Sequence, residues 1–198
     1  MNIARKVAIV LLLASVFVGC GRSSKVPDDA ASAAEAVELA GCPNLYKVNS
    51  RLYRGAQPTK EGFAQLSELG IKTVIDLRSF HSDRNLLEGT DMDYVHISME
   101  AWDAEYNEIF EFMKVAVDDS KQPVFVHCQH GADRTGTMIA AYRIVVGGWS
   151  KEKALTEMRD GPYGFHEVWR GLPKFIENLD ARKLLIEVVQ AKRTKTPE

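Results

Sequence analysis

Apolar residues along this chain fall into two habits, short runs and stripes at helical spacing. "IKTVIDL", "DYVHI" and "PVFVH" are runs, and the last is continuously apolar in the manner of a central parallel strand. "NLYKV" and "RLYRGA" are two more β-rich runs with only "NS" between them, which predicts a hairpin. The stripes lie between and after the runs. "TKEGFAQLSELG" sets Phe63, Leu66 and Leu69 on one helical face and stops at Gly70. "AEYNEIFEFMKVAVDD" spaces Ile109, Phe110, Met113 and Val117 helically, and "RTGTMIAAYRIVV" is a helix closed by Gly147 and Gly148. "SKEKALTEMRDG" has a Ser N-cap and a Gly stop, and "EVWRGLPKFIENL" and "DARKLLIEVVQAK" finish the chain as helices. Strands come early and alternate with helices, whereas the C-terminal half is helical. That order predicts an α/β layer fold, a small and mostly parallel central sheet flanked by helices on both faces. No internal repeat is visible.

The N-terminus reads differently. Arg5 and Lys6 precede "VAIVLLLASVFV", a 12-residue apolar run that suits a signal-peptide core and is short for a membrane span. The run ends at Gly19-Cys20 and resembles a bacterial lipoprotein signal, which implies that Cys20 is lipidated and becomes the mature N-terminus. Phe17 stands where such signals usually carry Leu, so ordinary secretion and an uncleaved anchor stay open as the alternatives. Gly21 follows where an inner-membrane retention signal would place Asp, which favours the outer membrane. The resulting division is a signal peptide over 1–20, a flexible tether over 21–41 and one folded domain over 42–198. Within the tether, "AASAAEAVELA" could form a frayed helix.

Composition changes this picture little. The chain has 198 residues, 45% hydrophobic and 26% charged, with a net charge of −2. That balance gives no footprint for nucleic acid. With Cys20 lipidated, Cys42 and Cys128 are the remaining thiols, and a domain of this size needs no disulfide between them. The expected state is a monomer tethered to the membrane by its lipid.

The chemistry lies in "VFVHCQHGADRTGTMIAAYR". A strand delivers Cys128 to a loop, and a helix starts near Arg134. Consecutive backbone N–H groups of such a loop converge into an anion nest, and the helix N-terminus adds further donors and partial positive charge. The same features favour a thiolate. Gly131 lets the backbone curl round an anion, and the guanidinium of Arg134 holds two phosphoryl oxygens at once. Gln129, His130, Gly131, Ala132, Asp133 and Arg134 thus form a phosphate loop with a nucleophile at its base. The implied reaction is covalent phosphoryl transfer through a phosphocysteine that water then hydrolyses. Thr135 is placed to reach the Cys128 sulfur, and His127 to orient the loop from behind. His127, Cys128 and His130 are not read as a metal site, because neighbours leaving a strand diverge and no second Cys/His cluster supplies ligands. No cofactor is called for.

"HCQHGADRTG", with "LYRGAQP" and "VIDLR", resembles the cysteine-dependent protein tyrosine phosphatases, in particular the compact dual-specificity branch with its bacterial periplasmic and plant/fungal atypical members. The resemblance spans about residues 43–180 and implies a dual-specificity phosphatase-like fold. It also implies a general acid, an Asp on the loop before the helix that leads to the cysteine strand. Asp103 occupies that loop, 25 residues before Cys128 where about thirty is usual, and Glu100 is the alternative, with a missing or water-mediated acid as the third reading. A helix-capping role for Asp103 is compatible with both. Asp76 and Arg78 are read as ties at a strand end, and Tyr53 and Arg54 as pocket neighbours or sheet-edge residues. "YGFHEVW", with His166, is read first as core packing and second as a substrate wall. Relatives acting on inositol phosphates tend to carry lysines in the loop. This loop has none, and Asp133 repels a polyanion. A phosphorylated protein or a small phosphomonoester is therefore the expected substrate. A secreted inositol-phosphate phosphatase and a phosphate-binding module without turnover remain the rivals.

Overall fold

The computed structural model describes residues 32–194. A six-stranded sheet is built from β1 (Glu35–Ala36), β2 (Tyr46–Asn49), β3 (Leu52–Gly55), β4 (Thr73–Arg78), β5 (Asp93–Met99) and β6 (Val124–His127), in the order β1-β2-β3-β6-β4-β5. The hairpin forms as predicted, with β2 antiparallel to β3, while β3, β6, β4 and β5 are mutually parallel. All four residues of β6 are buried, which is what a continuously apolar strand between two parallel neighbours requires.

Six helices complete the fold: α1 (Lys60–Glu68), α2 (Tyr106–Ala116), α3 (Asp133–Val145), α4 (Lys151–Asp160), α5 (Gly171–Asn178) and α6 (Ala181–Thr194). Thr59 and Ser150 cap α1 and α4, their hydroxyls accepting from Gly62 N and Lys153 N at 3.1 Å each. Alternate side chains of the central strands feed two cores. Phe125 and Val74 pack with Phe63 and Leu66 of α1, whereas Val124, Val126 and Ile75 pack against α2 and α3 on the other face. The glycine-ended, alanine-rich α3 is enclosed on nearly every side, so it is the central helix of that layer. Its Arg143 is fully buried, held by two bonds to Glu157 at 2.9 and 2.7 Å and stacked 4.4 Å over Trp149.

Two boundaries differ from expectation. The tether does not run to residue 41, because β1 joins the sheet and Val37 N donates to Leu45 O at 3.0 Å. Val37 and Leu39 both pack on the α1-side core, and their spacing of two lets an extended chain bury both where a helix would separate them. The frayed helix is thus replaced by a strand. The second difference is that the helix expected from Glu167 begins at Gly171, for a reason given below. The signal peptide and Cys20 lie outside the described residues. Among the described residues no helix is long and apolar enough to cross a membrane.

Candidate active site

Residue 128 follows directly from the middle strand of the parallel set, at the carboxyl edge where open α/β sheets place their ligands. The loop after it is shaped from outside. Gln57 N donates to Gln129 O at 3.3 Å, Asn44 Nδ2 to His130 O at 2.9 Å, and Arg54 Nη2 to Gly131 O at 2.7 Å. Three successive carbonyls are therefore turned outward. In a trans peptide the N–H points opposite to the C=O, so the amides of His130, Gly131 and Ala132 face the loop's centre. The start of α3 at Asp133 adds orphan N–H groups to the same concavity. Gly131 has φ +72, and a Cβ there would lie 2.5 Å from the Gly55 carbonyl, so only glycine fits.

Cys128 sits at the base with 1% exposure. Arg134 lies across the strand ends, its Nη1 donating to Leu77 O at 3.4 Å and Met99 O at 3.3 Å, which aims the guanidinium over β4 and β5. Thr135 is fully buried but its hydroxyl has no hydrogen-bond partner, so the expected contact with the Cys128 sulfur is not made. Arg54 is fully buried under the loop, 3.7 Å from the Tyr163 ring centroid. Burial draws its pKa down to about 10, opposed by Tyr163, Glu157 and Cys128, so the guanidinium is charged at neutral pH beside Cys128.

Behind the cysteine, His127 Nε2 is 3.0 Å from Asp83 Oδ2, an ion-pair distance without hydrogen-bond geometry, and both residues are fully buried. Asp83 Oδ1 also receives Gln57 Nε2 at 2.7 Å and contacts His81 Nε2 at 3.0 Å. Burial pushes the Asp83 carboxyl up, but the adjoining His127, with the contacts from Gln57 and His81, outweighs it and holds its pKa below the ordinary value. Asp76 and Arg78 form the strand-end tie that was expected: Asp76 accepts from Arg78 N at 2.8 Å and Tyr94 Oη at 3.0 Å, and Arg78 Nη1 donates to Gln57 Oε1 at 2.7 Å.

Residues 37–167 match the family described as DSP-PTPase phosphatase fused to NAD+ kinase. The chain belongs to this DSP-PTPase family. It is 33% identical over 138 residues to the dual specificity protein phosphatase TpbA of Pseudomonas aeruginosa, covering 69% of this chain and 63% of TpbA, so it spans somewhat under two thirds of that relative. A crystal structure of TpbA superposes with a TM-score of 0.70 at 31% identity, covering 79% of this chain and 96% of that one. TpbA has also been solved in complex with pTyr. The putative tyrosine-protein phosphatase OCA1 of Mycosarcoma maydis is 30% identical over 59% of this chain and 78% of its own. The catalytic core of Siw14 from S. cerevisiae shares the fold with a TM-score of 0.66 at 21% identity, over 78% of this chain and 96% of that one.

Two parts of the DSP-PTPase site differ from the sequence reading. Helix α2 starts at Tyr106 with Glu105 as N-cap, and Glu108 accepts from Glu105 N at 2.8 Å. Asp103 therefore does not cap it. The Asp103 carboxylate is exposed and accepts only from Ala104 N at 2.9 Å, which leaves it on the loop after β5 and available to solvent. Glu100 is half-buried on the same loop. Burial, with the negative charges of Glu105, Asp103 and Glu100, raises the Glu108 pKa, although its bond to Glu105 N opposes this.

The second difference concerns His166, which is not core. Its side chain is 49% exposed. Its backbone N donates to Asp133 Oδ1 at 2.8 Å, and its Nδ1 lies 2.9 Å from Asp133 Oδ2. Asp133 is nearly buried, so this grip keeps residues 165–167 in a loop and delays α5 to Gly171, which packs against Trp102 O. The residues missed by sequence reasoning are Asn44, Gln57 and Asp83. Gln57 lies inside the quoted "LYRGAQP", but Asn44 and Asp83 carry no local signal. Cys42 is outside the site. It packs on the α1 face of the sheet while Cys128 packs on the other, its Sγ donates to Gly62 O at 3.2 Å, and burial pushes the thiol up to about 11.

Proposed function

We propose that this protein is a cysteine-dependent protein phosphatase, of tyrosine or dual specificity, acting through a phosphocysteine intermediate. The observation that carries the reading is the loop of outward carbonyls, which turns a row of amides toward the position above Cys128. Arg134, held on Leu77 O and Met99 O at the same edge of the sheet, swings from there onto the phosphoryl oxygens. The Cys128 thiolate attacks phosphorus in line, and the bond to the leaving oxygen breaks as that oxygen takes a proton. Asp103 is assigned as the donor, being an exposed carboxyl on the loop after β5, at the same edge of the sheet. Loop amides and Arg134 stabilise the charge on the equatorial oxygens, and Arg54 sustains the thiolate from below. Water, giving a proton to the Asp103 carboxylate, then attacks phosphorus as the S–P bond breaks, and Cys128 departs again as thiolate. Thr135, whose buried hydroxyl lacks a partner, turns toward that sulfur in this step. The pTyr complex of TpbA supports phosphotyrosine as the substrate. The "VFVGCGRSS" stretch supports a lipid at Cys20 and a periplasmic, outer-membrane address.

Purified protein should hydrolyse aryl phosphate and phosphotyrosine peptide in the presence of chelator, and inositol hexakisphosphate far more slowly. Cys128→Ser should lose turnover yet still bind phosphotyrosine peptide, and Arg134→Lys should be nearly as slow as Arg134→Ala. Undiminished turnover by Cys128→Ser would falsify the assignment.

A further inference from the structure

Among the described residues, two clusters of potential metal ligands stand beside the catalytic loop. Asp76, Asp83 and His127 are wholly buried; Asp76 accepts from Tyr94 and Arg78 N, Asp83 Oδ1 meets Gln57 and His81, and Asp83 Oδ2 faces only His127 Nε2 at 3.0 Å. That cluster is closed. His130, Asp133 and His166 are different. An imidazole nitrogen of each histidine and a carboxylate oxygen of Asp133 lie within 4.8 Å of one another, and both histidines are exposed. The two rings meet edge to face at 5.5 Å between centroids.

We infer that His130, Asp133 and His166 form a binding site for a divalent transition metal of the zinc class at the lip of the catalytic loop. The donor set is two imidazoles and one carboxylate, which suits Zn²⁺ and leaves a fourth position open. The geometry needs little change. With metal–ligand bonds of about 2.0–2.2 Å, neighbouring ligands of a tetrahedral site are about 3.3 Å apart. His166 Nδ1 and Asp133 Oδ2 are already 2.9 Å apart, and Oδ1 is 3.1 Å away. His130 supplies the remaining closure by turning an exposed side chain, while its backbone is fixed through Asn44.

Electrostatics gives the site its reason. Asp133 is a carboxylate with 8% of its side chain exposed, on a loop shaped to hold a phosphate dianion. Its negative charge opposes that anion, and one partly exposed histidine neutralises it only when protonated. A divalent cation on the three side chains cancels the carboxylate and places net positive charge beside the cradle. Metal and anion therefore bind cooperatively, each strengthening the other by the same factor. The sequence hid this because His166 lies 36 residues beyond His130 and is brought back by Asp133.

The test uses the full chain carrying Cys20→Ser and Cys128→Ser, so that neither the N-terminal thiol nor the loop's own competes for metal; Cys42 is buried, with its thiol pushed up to about 11. Calorimetric titration with Zn²⁺ should show about one ion per chain. His130→Gln and His166→Gln in that background should each weaken binding at least tenfold, with circular dichroism unchanged since both side chains are exposed. Glu167→Gln, which neutralises a neighbouring carboxylate outside the cluster, should leave the affinity within about twofold. Sulfate, a phosphate mimic that does not precipitate zinc, should raise zinc affinity several-fold. Absence of binding, or a zinc affinity in either histidine variant equal to that of the parent, would leave an ion pair only and overturn the site. Zinc affinity indifferent to sulfate would overturn its coupling to the catalytic loop.

Discussion

Replacing Gly131 by alanine tests whether the catalytic loop is moulded by the strand beneath it. An added Cβ would sit 2.5 Å from Gly55 C and O and 2.6 Å from Ala56 N. These are backbone atoms of a strand end that pairs with β6, so they have no rotamer with which to yield. Carbon contacts are comfortable beyond about 3.5 Å, so the loop must retreat by roughly 1 Å. Retreat breaks the Arg54–Gly131 bond of 2.7 Å, a charge-assisted contact of about 1.5–3 kcal/mol. The left-handed φ of +72 adds about 1–2 kcal/mol for any residue with a side chain. The sum is about 2.5–5 kcal/mol, at or below the usual stability of a domain, so the variant should fold and unfold at lower urea. A catalytic group displaced by about 1 Å loses about a hundredfold in rate. The assay is kcat/KM on an aryl phosphate at a temperature where circular dichroism shows native structure. Gly70→Ala is the control, since its φ of +91 carries the same backbone cost but nothing lies within 4 Å of its Cβ. It should lose about 1 kcal/mol of stability and no activity. Gly131→Ala with a rate within threefold of wild type would refute the reasoning, as would equal rate losses in both variants.

Three further outcomes are expected. Arg54→Lys keeps the buried charge but loses the fork under Gly131 and the stacking on Tyr163, so kcat/KM should fall about ten- to a hundredfold, and a wild-type rate would show that charge alone suffices. Asp83→Asn should flatten acid denaturation: the depressed carboxyl stabilises the wild type above the unfolded pKa of about 4, and this is lost as pH falls toward the folded value, so urea midpoints of the two proteins should converge in acid. Asp103→Asn should slow a tyrosine-like phosphate by about a hundredfold and an activated aryl phosphate far less, whereas that leaving-group dependence in Glu100→Gln would move the acid to Glu100.

What could be read from the chain follows from how far apart the determinants lie. Cys128, Gly131 and Arg134 share one loop, so their spacing alone announces an anion site, and the apolar run before them places it at the end of a central strand. Elements with one clear period, such as α1 or α6, were legible for the same local reason. The strand at Glu35–Ala36 was not, because its alanines favour a helix and only the distant core that accepts Val37 and Leu39 overrides them. The late start of α5 was hidden likewise. Its pattern is helical from Glu167, but the backbone and ring of His166 are tied to Asp133 on α3, 33 residues away, which sets the path of the chain before the helix.

The loop itself shows why its identity was readable and its mechanics were not. A nest requires both that amides point inward and that carbonyls be satisfied elsewhere, since a buried unpaired carbonyl costs about 1–3 kcal/mol. The first requirement is met by residues 129–134, and the second by Asn44, Arg54 and Gln57, between 72 and 86 positions upstream. They reach the loop only because β3 pairs in parallel with β6, setting Arg54 beside Val126 and Gly55 beside His127. Arg54 carries the larger burden of the three. A fully buried guanidinium whose Nε has no partner is unfavourable in an apolar core. It is tolerated because Tyr163, Glu157 and Cys128 oppose the burial penalty and the Gly131 carbonyl accepts from Nη2, so the residues that keep this cation charged are the same ones that fix the loop above it.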